Sequence, residues 1–281
     1  MAGLALVVDS TAYLPAGFAE RHGIRVVPVQ VVIGGVATDE TASDPSELAR
    51  ALRNWEPVTT ARPSPSLMLA AYDAARDAGA DAVVSIHLSS ALSGTFESAQ
   101  LAAKDADIPV RCVDSGSIGM VLGYAAAAAA EAAGAGATVE EAAVAAEQVC
   151  AGSQVLFVVS TLEYLRRGGR IGPAAAFVGG ALSIKPILHL VDGVVEPLEK
   201  VRTLGRAMNR LEELAVTGIG GRPASVAVHH LDAAERAQQL ATRLHDRTGA
   251  DVPVTEIGAV VGAHVGPGMV AVVVSPAPQP S

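Results

Sequence analysis

The sequence predicts an α/β protein of two domains: an N-terminal, mostly parallel α/β/α sheet domain and a C-terminal α+β domain with a mixed sheet. Three observations carry this. Short apolar runs alternate with helical patterns through the first half, as parallel βα units require. In the second half the apolar runs surround a hairpin signal, "VDG" at 191–193, which points to antiparallel pairing. An alanine-rich helical stretch ending near Gly152 separates the two patterns, so the expected domains are 1–152 and 153–281.

Taken in order, "LALVVDS" (4–10), "RVVPVQVVI" (25–33), "DAVVSIHL" (81–88) and "VRCVDS" (110–115) read as strands. "DPSELARALRNW" reads as a helix with Asp44 as N-cap, Pro45 at its first position and Glu47 at its third. "PSPSLMLAAYDAARDAG" repeats the device, with Ser64 before Pro65 and Gly79 at the close. Ser93 and Thr95 open another helix. Strands of the second half are 154–160, 181–201, 224–230, 253–258 and 269–275. Leu204, Met208, Leu211 and Ala215 form one stripe of a helix, and Asp232 with Glu235 opens the next as a capping box. There is no internal repeat, and only the tail "SPAPQPS" has the composition of a disordered segment.

Composition narrows the function. A formal net charge of −9 over 281 residues argues against a general nucleic-acid or anionic-membrane surface. The start "MAGLALVVDS" lacks a basic region and meets Asp9 early, so it does not read as a signal peptide. The most membrane-like stretch, 120–137, is alanine-rich and carries Glu131, which favours a buried helix over a spanning one. Two cysteines, Cys112 and Cys150, without metal spacing fit a reduced cytoplasmic compartment.

In a parallel sheet the C-terminal strand ends share one edge, where ligands bind. Hydroxyls and carboxylates gather at such ends here, in "VVDST" (7–11), "TTARPSP" (59–65), "SSALSGT" (89–95) and "VDSGS" (113–117). Each alone is explained by helix capping; four together favour a polar ligand. Ser93 lacks the first glycine of a hydrolase elbow, and its base would have to be His87 or a remote histidine. His229 and His230 are adjacent, point to opposite faces of a strand and have no carboxylate or cysteine at ligand spacing, which favours structural roles over a metal. "GAHVGPG" (262–268) places His264 in a glycine- and proline-rich turn before the last strand, where imidazole can meet an anionic oxygen. "LEYLRRGGRIG" (162–172) reads as a flexible cationic loop: either a solvated turn or a docking patch for an acidic partner or phosphate. No phosphate-binding loop of the Gly-x-x-x-x-Gly-Lys-Ser/Thr type occurs, so no ATP site is expected.

Seven segments in order, "VDSTAYLP", "TTARPSPS", "LSSALSGTFESAQLAA", "VDSGSIGMVLG", "TLEYLRRGGRIG", "LSIKPIL" and "GAHVGPG", resemble the DegV family of bacterial fatty-acid-binding proteins, the lipid-carrying subunits of fatty acid kinase systems. The resemblance spans nearly the whole chain. It implies an α/β domain followed by an α+β domain, with a long-chain fatty acid such as palmitate buried between them. It also implies that Thr60 and Ser93 hold the carboxylate and that His264 belongs to the same polar end. Arg62, Gly94 and Thr95 are additional candidate anion contacts, and Arg170 with Arg167 is the candidate docking point for the kinase subunit. Ala61-Arg62 stands where the family usually has Ser-Gln, which removes one hydroxyl and adds one cation. On this reading the protein is a carrier without catalytic residues, cofactor or metal. It has no nucleic-acid partner and at most transient membrane contact. Two enzyme classes compete with it: a small-ketone-binding subunit of a dihydroxyacetone-kinase-like enzyme that depends on His264 or His230, and a serine hydrolase that uses Ser93. The apolar helices at 67–75 and 118–133 are either tunnel walls or ordinary core.

Overall fold

A computed structural model describes residues 3–43, 45–54, 56–177 and 185–277. The chain divides into two compact units, one of residues 1–30 and 61–152 and one of residues 31–60 and 153–281. The sequence reading placed 31–60 with the N-terminal domain. In the structure this segment instead joins the second unit.

The elements run β1 (Leu4–Asp9), α1 (Phe18–His22), β2 (Ile24–Val27), β3 (Gln30–Ile33), β4 (Val36–Asp39), α2 (Pro45–Arg53), β5 (Val58–Ala61), α3 (Pro65–Asp77), β6 (Ala82–His87), α4 (Thr95–Asp105), β7 (Val110–Asp114), α5 (Met120–Gly134) and α6 (Val139–Gly152). They continue with β8 (Gln154–Val158), α7 (Glu163–Arg167), β9 (Lys185–Val191), β10 (Val194–Val201), α8 (Leu204–Ile219), β11 (Ala224–His230), α9 (Ala234–Thr248), β12 (Val254–Glu256), α10 (Ala259–Val265) and β13 (Val270–Pro276).

In the first unit, β2-β1-β6-β7 form a parallel sheet. Period-two alternation sends Leu6, Val8, Val84 and Ile86 to one face, where they pack with Leu122, Ala125, Ala126 and Ala129 of α5 and with α6. Val7, Val83 and Cys112 face the other way, against Met68, Tyr72 and Ala75 of α3 and Ala99 and Ala102 of α4. Sheet residues buried on both faces explain why these strands read as unbroken apolar runs. The small residues of α3 and α5 named here are packed as core. Ser64 caps α3 by accepting from Leu67 N at 3.2 Å, and Gly79 closes it at φ +94°.

The second unit holds a mixed six-stranded sheet, β10-β9-β8-β13-β11-β12, in which only β11 and β12 among these neighbours run parallel. Met208, Leu211 and Ala215 of α8 and Ala237, Leu240 and Leu244 of α9 bury against Leu156, Val158, Val226, Val228, Val270 and Val272. The "VDG" hairpin forms with Asp192 at φ +47° and Gly193 at φ +79°, the two left-handed residues of a tight primed turn. A three-stranded sheet, β4-β3-β5, completes the list.

Several sequence expectations are corrected here. The run 25–33 is two strands in different sheets, because Pro28 has no N–H for a ladder and Val29 N donates to Ser10 Oγ at 3.0 Å. "TTARPSP" does not end a strand of the parallel sheet; β5 belongs to the three-stranded one. Asp232 does not cap α9: Ala233 is the cap residue and makes no side-chain bond, while Asp232 has φ +52° and pairs with Arg53. The expected cap Asp44, the strand start 181–184 and the tail 278–281 lie outside the described residues. Among the described residues, no helix is long and apolar enough to cross a membrane.

Candidate functional site

"GAHVGPG" is a turn only in its second half, at 267–268. Residues 259–265 form the helix α10, with His264 in its last turn. A helix so rich in small residues forms because its neighbours require them. The buried Glu40 carboxylate accepts from Val260 N at 2.8 Å and satisfies one of the amide groups a helix start leaves open. A side chain at Gly258 would overlap Glu40, and one at Gly262 would overlap Leu48. Gly266 ends the helix at φ +74° against the Tyr164 ring, where only glycine fits.

This seating brings His264 to Thr60. Thr60 Oγ1 and His264 Nε2 lie 3.1 Å apart, joining α10 to β5 across 204 positions of sequence. The other ring nitrogen, Nδ1, is enclosed and has no hydrogen-bond partner among the described residues. Its side of the ring rests on Gly168, where a methyl group would overlap it. Burial, reinforced by the nearby Arg170 charge, lowers the His264 pKa from its usual value to about 4, so the ring is neutral at pH 7. Thr60 and His264 line a cleft of about 490 Å³ together with Thr59, Tyr164, Arg167 and Arg170.

The arginine stretch is ordered by internal bonds. Arg166 and Arg167 sit on α7, and both pair with Glu163, whose carboxyl they hold down at about 2. Arg170 Nη1 donates to Gly168 O at 2.7 Å, and its backbone N donates to Leu165 O at 3.0 Å. The reading of 162–172 as a flexible loop is therefore corrected to a helical turn followed by a bonded bend.

In the first unit, Ser93 Oγ lies 2.9 Å from Thr95 Oγ1 and accepts from Thr95 N at 3.3 Å. Arg62 crosses Gly94 and pairs with Glu97. The loop that carries Ser93 is held by β1, by β7 and by the loop after β7: Leu88 N donates to Asp9 Oδ2 at 2.9 Å, Ser90 N to Asp114 Oδ1 at 3.1 Å and Ser89 N to Ser117 O at 2.8 Å. Beneath it runs a hydrogen-bonded chain with no solvent exposure, from Asp9 to His87 (3.1 Å), Ser85 (2.7 Å) and Tyr72 (3.0 Å). Both nitrogens of His87 are engaged there, so His87 is not available as a base for Ser93. That removes the local partner a serine hydrolase would use.

His229 bonds Thr255 Oγ1 through Nδ1 at 2.9 Å, and burial lowers its pKa to about 4. His230 Nδ1 is 3.8 Å from Glu256 Oε1. Among the described residues, no three His, Cys, Asp or Glu side chains gather to hold a metal. Glu40 was not signalled by any local motif, and neither were the contact of Gly168 with the His264 ring and the bonds that join Asp9, His87, Ser85 and Tyr72.

The depressed histidines set a pH dependence. Below about pH 6.5 the unfolded chain takes up protons that native His229 and His264 refuse until about pH 4. Their contribution is therefore complete above the unfolded value and is lost as pH falls through that window, on the order of a few kcal/mol. Urea midpoints measured across the window should fall with acid, and less steeply in H264Q. An equal slope in H264Q would contradict the assignment for His264.

A family profile described as "Uncharacterised protein, DegV family" matches residues 3–277. A DegV domain-containing protein of Streptomyces coelicolor is 54% identical over 275 residues, covering 97% of this chain and 98% of its own. Among solved structures, the chain is similar to one described as fatty acid binding of a DegV family protein from Thermus thermophilus (TM-score 0.91, 32% identity, 98% of this chain and 99% of that one). It is also similar to DegV, a fatty acid binding protein from Bacillus subtilis (TM-score 0.89, 34% identity, 98% and 99%).

Proposed function

Because the chain belongs to the DegV family, we propose that it binds a long-chain fatty acid such as palmitate, with Thr60 as a hydroxyl donor to the carboxylate. The observation that carries this reading is the Thr60–His264 pair at the wall of a cleft, since a buried carboxylate needs donors to offset its desolvation. Ser93 is the other candidate donor, with Arg62, Gly94 and Thr95 beside it. The acyl chain supplies the affinity: about 0.8 kcal/mol per buried methylene, or roughly 10 kcal/mol for a long chain before association costs.

The protein acts as a carrier in the cytoplasm and presents the carboxylate to a separate kinase for acyl-phosphate formation. Carboxylate oxygen attacks the terminal phosphorus of a nucleoside triphosphate as the bond to the leaving diphosphate breaks, so no proton needs removal. Arg170 and Arg167, which line the same cleft, are the candidate kinase contacts.

Solvent extraction of the denatured protein, read by mass spectrometry, should release near-stoichiometric fatty acid. Palmitate affinity should fall about tenfold in T60V and in S93A, the worth of one hydrogen bond to a charged group. No extracted lipid together with no palmitate binding would overturn the proposal.

A further inference from the structure

We propose that the second unit carries a further ligand site, for a small amphipathic carboxylate, in a cleft between the C-terminal end of α8 and strands β8, β9 and β10. The cleft shares no residue with the one lined by Thr60 and His264, so the proposal goes beyond the fatty-acid reading and does not rest on it.

The cleft has a volume of about 530 Å³, a size that takes a small molecule. Its floor is Leu156 of β8, which is buried, and its apolar walls include Leu198 of β10 and Leu214 of α8, both half-buried. Earlier along α8, Met208, Leu211 and Ala215 close the helix onto the sheet as packed core. At the C-terminal end the helix and the hairpin leave these leucines facing open space, where hydrocarbon from a ligand would take their surface out of water.

The polar groups gather at one end. Gly218 lines the cleft, and a side chain there would overlap the Gln154 amide, so the bare α-carbon is what lets Gln154 lie against the helix. Arg222 Nη2 reaches Gly218 O at 3.4 Å, and no ion pair joins Arg222 to a carboxylate among the described residues. That sets it apart from Arg210, Arg243 and Arg247, whose charges are met by Glu199, Glu212 and Glu213. The far side of the cleft has the opposite sign: Glu196 stands across from His189 in the β9-β10 register. A ligand that matches these features lays an alkyl body along Leu156, Leu198 and Leu214 and turns an anionic head to Arg222 and the Gln154 N–H. Both a free carboxylic acid and the acid end of a larger metabolite have that chemistry.

Octanoate is the probe. Titrated into the full-length chain with ¹³C-labelled leucine methyls, it should shift the signals of Leu156, Leu198 and Leu214, and T60V should leave those shifts in place. Arg222→Ala should weaken octanoate about tenfold, the worth of one bond to a charged group. Octanol, which has no charge for Arg222 to meet, should bind the unmodified protein about as weakly as octanoate binds that variant. Leu214→Trp, which fills the cleft, should abolish the shifts at Leu156 and Leu198. No shift of the three leucines at about 10 mM octanoate would overturn the site. Shifts confined to Leu52, which lines the Thr60 cleft, would also overturn it while leaving the fatty-acid reading intact. Equal octanoate affinity in Arg222→Ala would overturn the carboxylate assignment, and this exposed position decides the matter should Leu214→Trp fail to fold.

Discussion

Replacing Asp9 with alanine is expected to cost roughly 3 kcal/mol or more of stability and to loosen the loop that carries Ser93. The Asp9 carboxylate is fully buried and accepts from Thr11 N, Thr11 Oγ1 and Leu88 N while pairing with His87 Nδ1. Alanine deletes the acceptor and leaves each of those groups without its partner in a site that water does not reach. The charge matters less than the count of bonds. D9N keeps the shape and one oxygen and should lose less than D9A, because one side of the amide can still accept. Urea denaturation would measure the cost. Hydrogen exchange at Leu88 and Ser89 would show whether the loop is released before the sheet melts. A stability loss in D9A below about 1 kcal/mol would mean that the chain from Asp9 to Tyr72 is not holding the strand ends.

Gly168→Ala should act on the His264 ring rather than on the backbone. Gly168 has φ −74° and ψ −6°, which alanine adopts without backbone strain, so the stability cost comes from the methyl meeting the buried ring, about 1–3 kcal/mol. The added methyl overlaps the His264 ring. The imidazole must turn aside, its bond to Thr60 lengthens, and palmitate affinity should drop at least tenfold, about 1.4 kcal/mol. Calorimetric titration with palmitate, alongside a urea midpoint, reads both quantities. Unchanged affinity with unchanged stability would show that the ring position is irrelevant to the ligand. Gly266 offers the contrast. Its φ of +74° makes any side chain strained, so Gly266→Ala should hurt folding through the backbone itself.

Most of the strands were legible because they are driven by burial alone. β1 and β6 are buried on both faces and, like β7, end at polar clusters, and the hairpin at 191–193 carries its own turn chemistry. What escaped the sequence was decided by partners far away along it. Segment 31–60 reads as one more βα unit, and nothing local tells which body its strands will join. "GAHVGPG" has the composition of a turn, yet each glycine answers to a neighbour: Leu48 at Gly262, Tyr164 at Gly266 and Ser160 at Gly268. Asp232 with Glu235 matched a capping pattern, but a left-handed backbone at Asp232 and its bond to Arg53 took it out of the cap. Ser93, His264 and the segment of Thr60 stood out as polar clusters, and resemblance to a family assigned them to a carboxylate. The bond between Thr60 and His264, the ledge at Gly168 and the carboxylate of Glu40 needed coordinates.

The second unit is assembled from two stretches of chain, 31–60 and 153–281, and this has a consequence for biosynthesis. Strands β3 and β4 and helix α2 leave the ribosome early, and the stretch they fold with follows only after residues 61–152. At ordinary elongation rates that wait lasts roughly 5–20 s. During it the exposed apolar faces of the early segment are open to chaperones, proteases and other nascent chains. Thr60 meets His264 only after the 204 positions between them have been made, so a chain cut short of residue 264 lacks the pair altogether. The pair thereby reports that both stretches of the second unit have been synthesised.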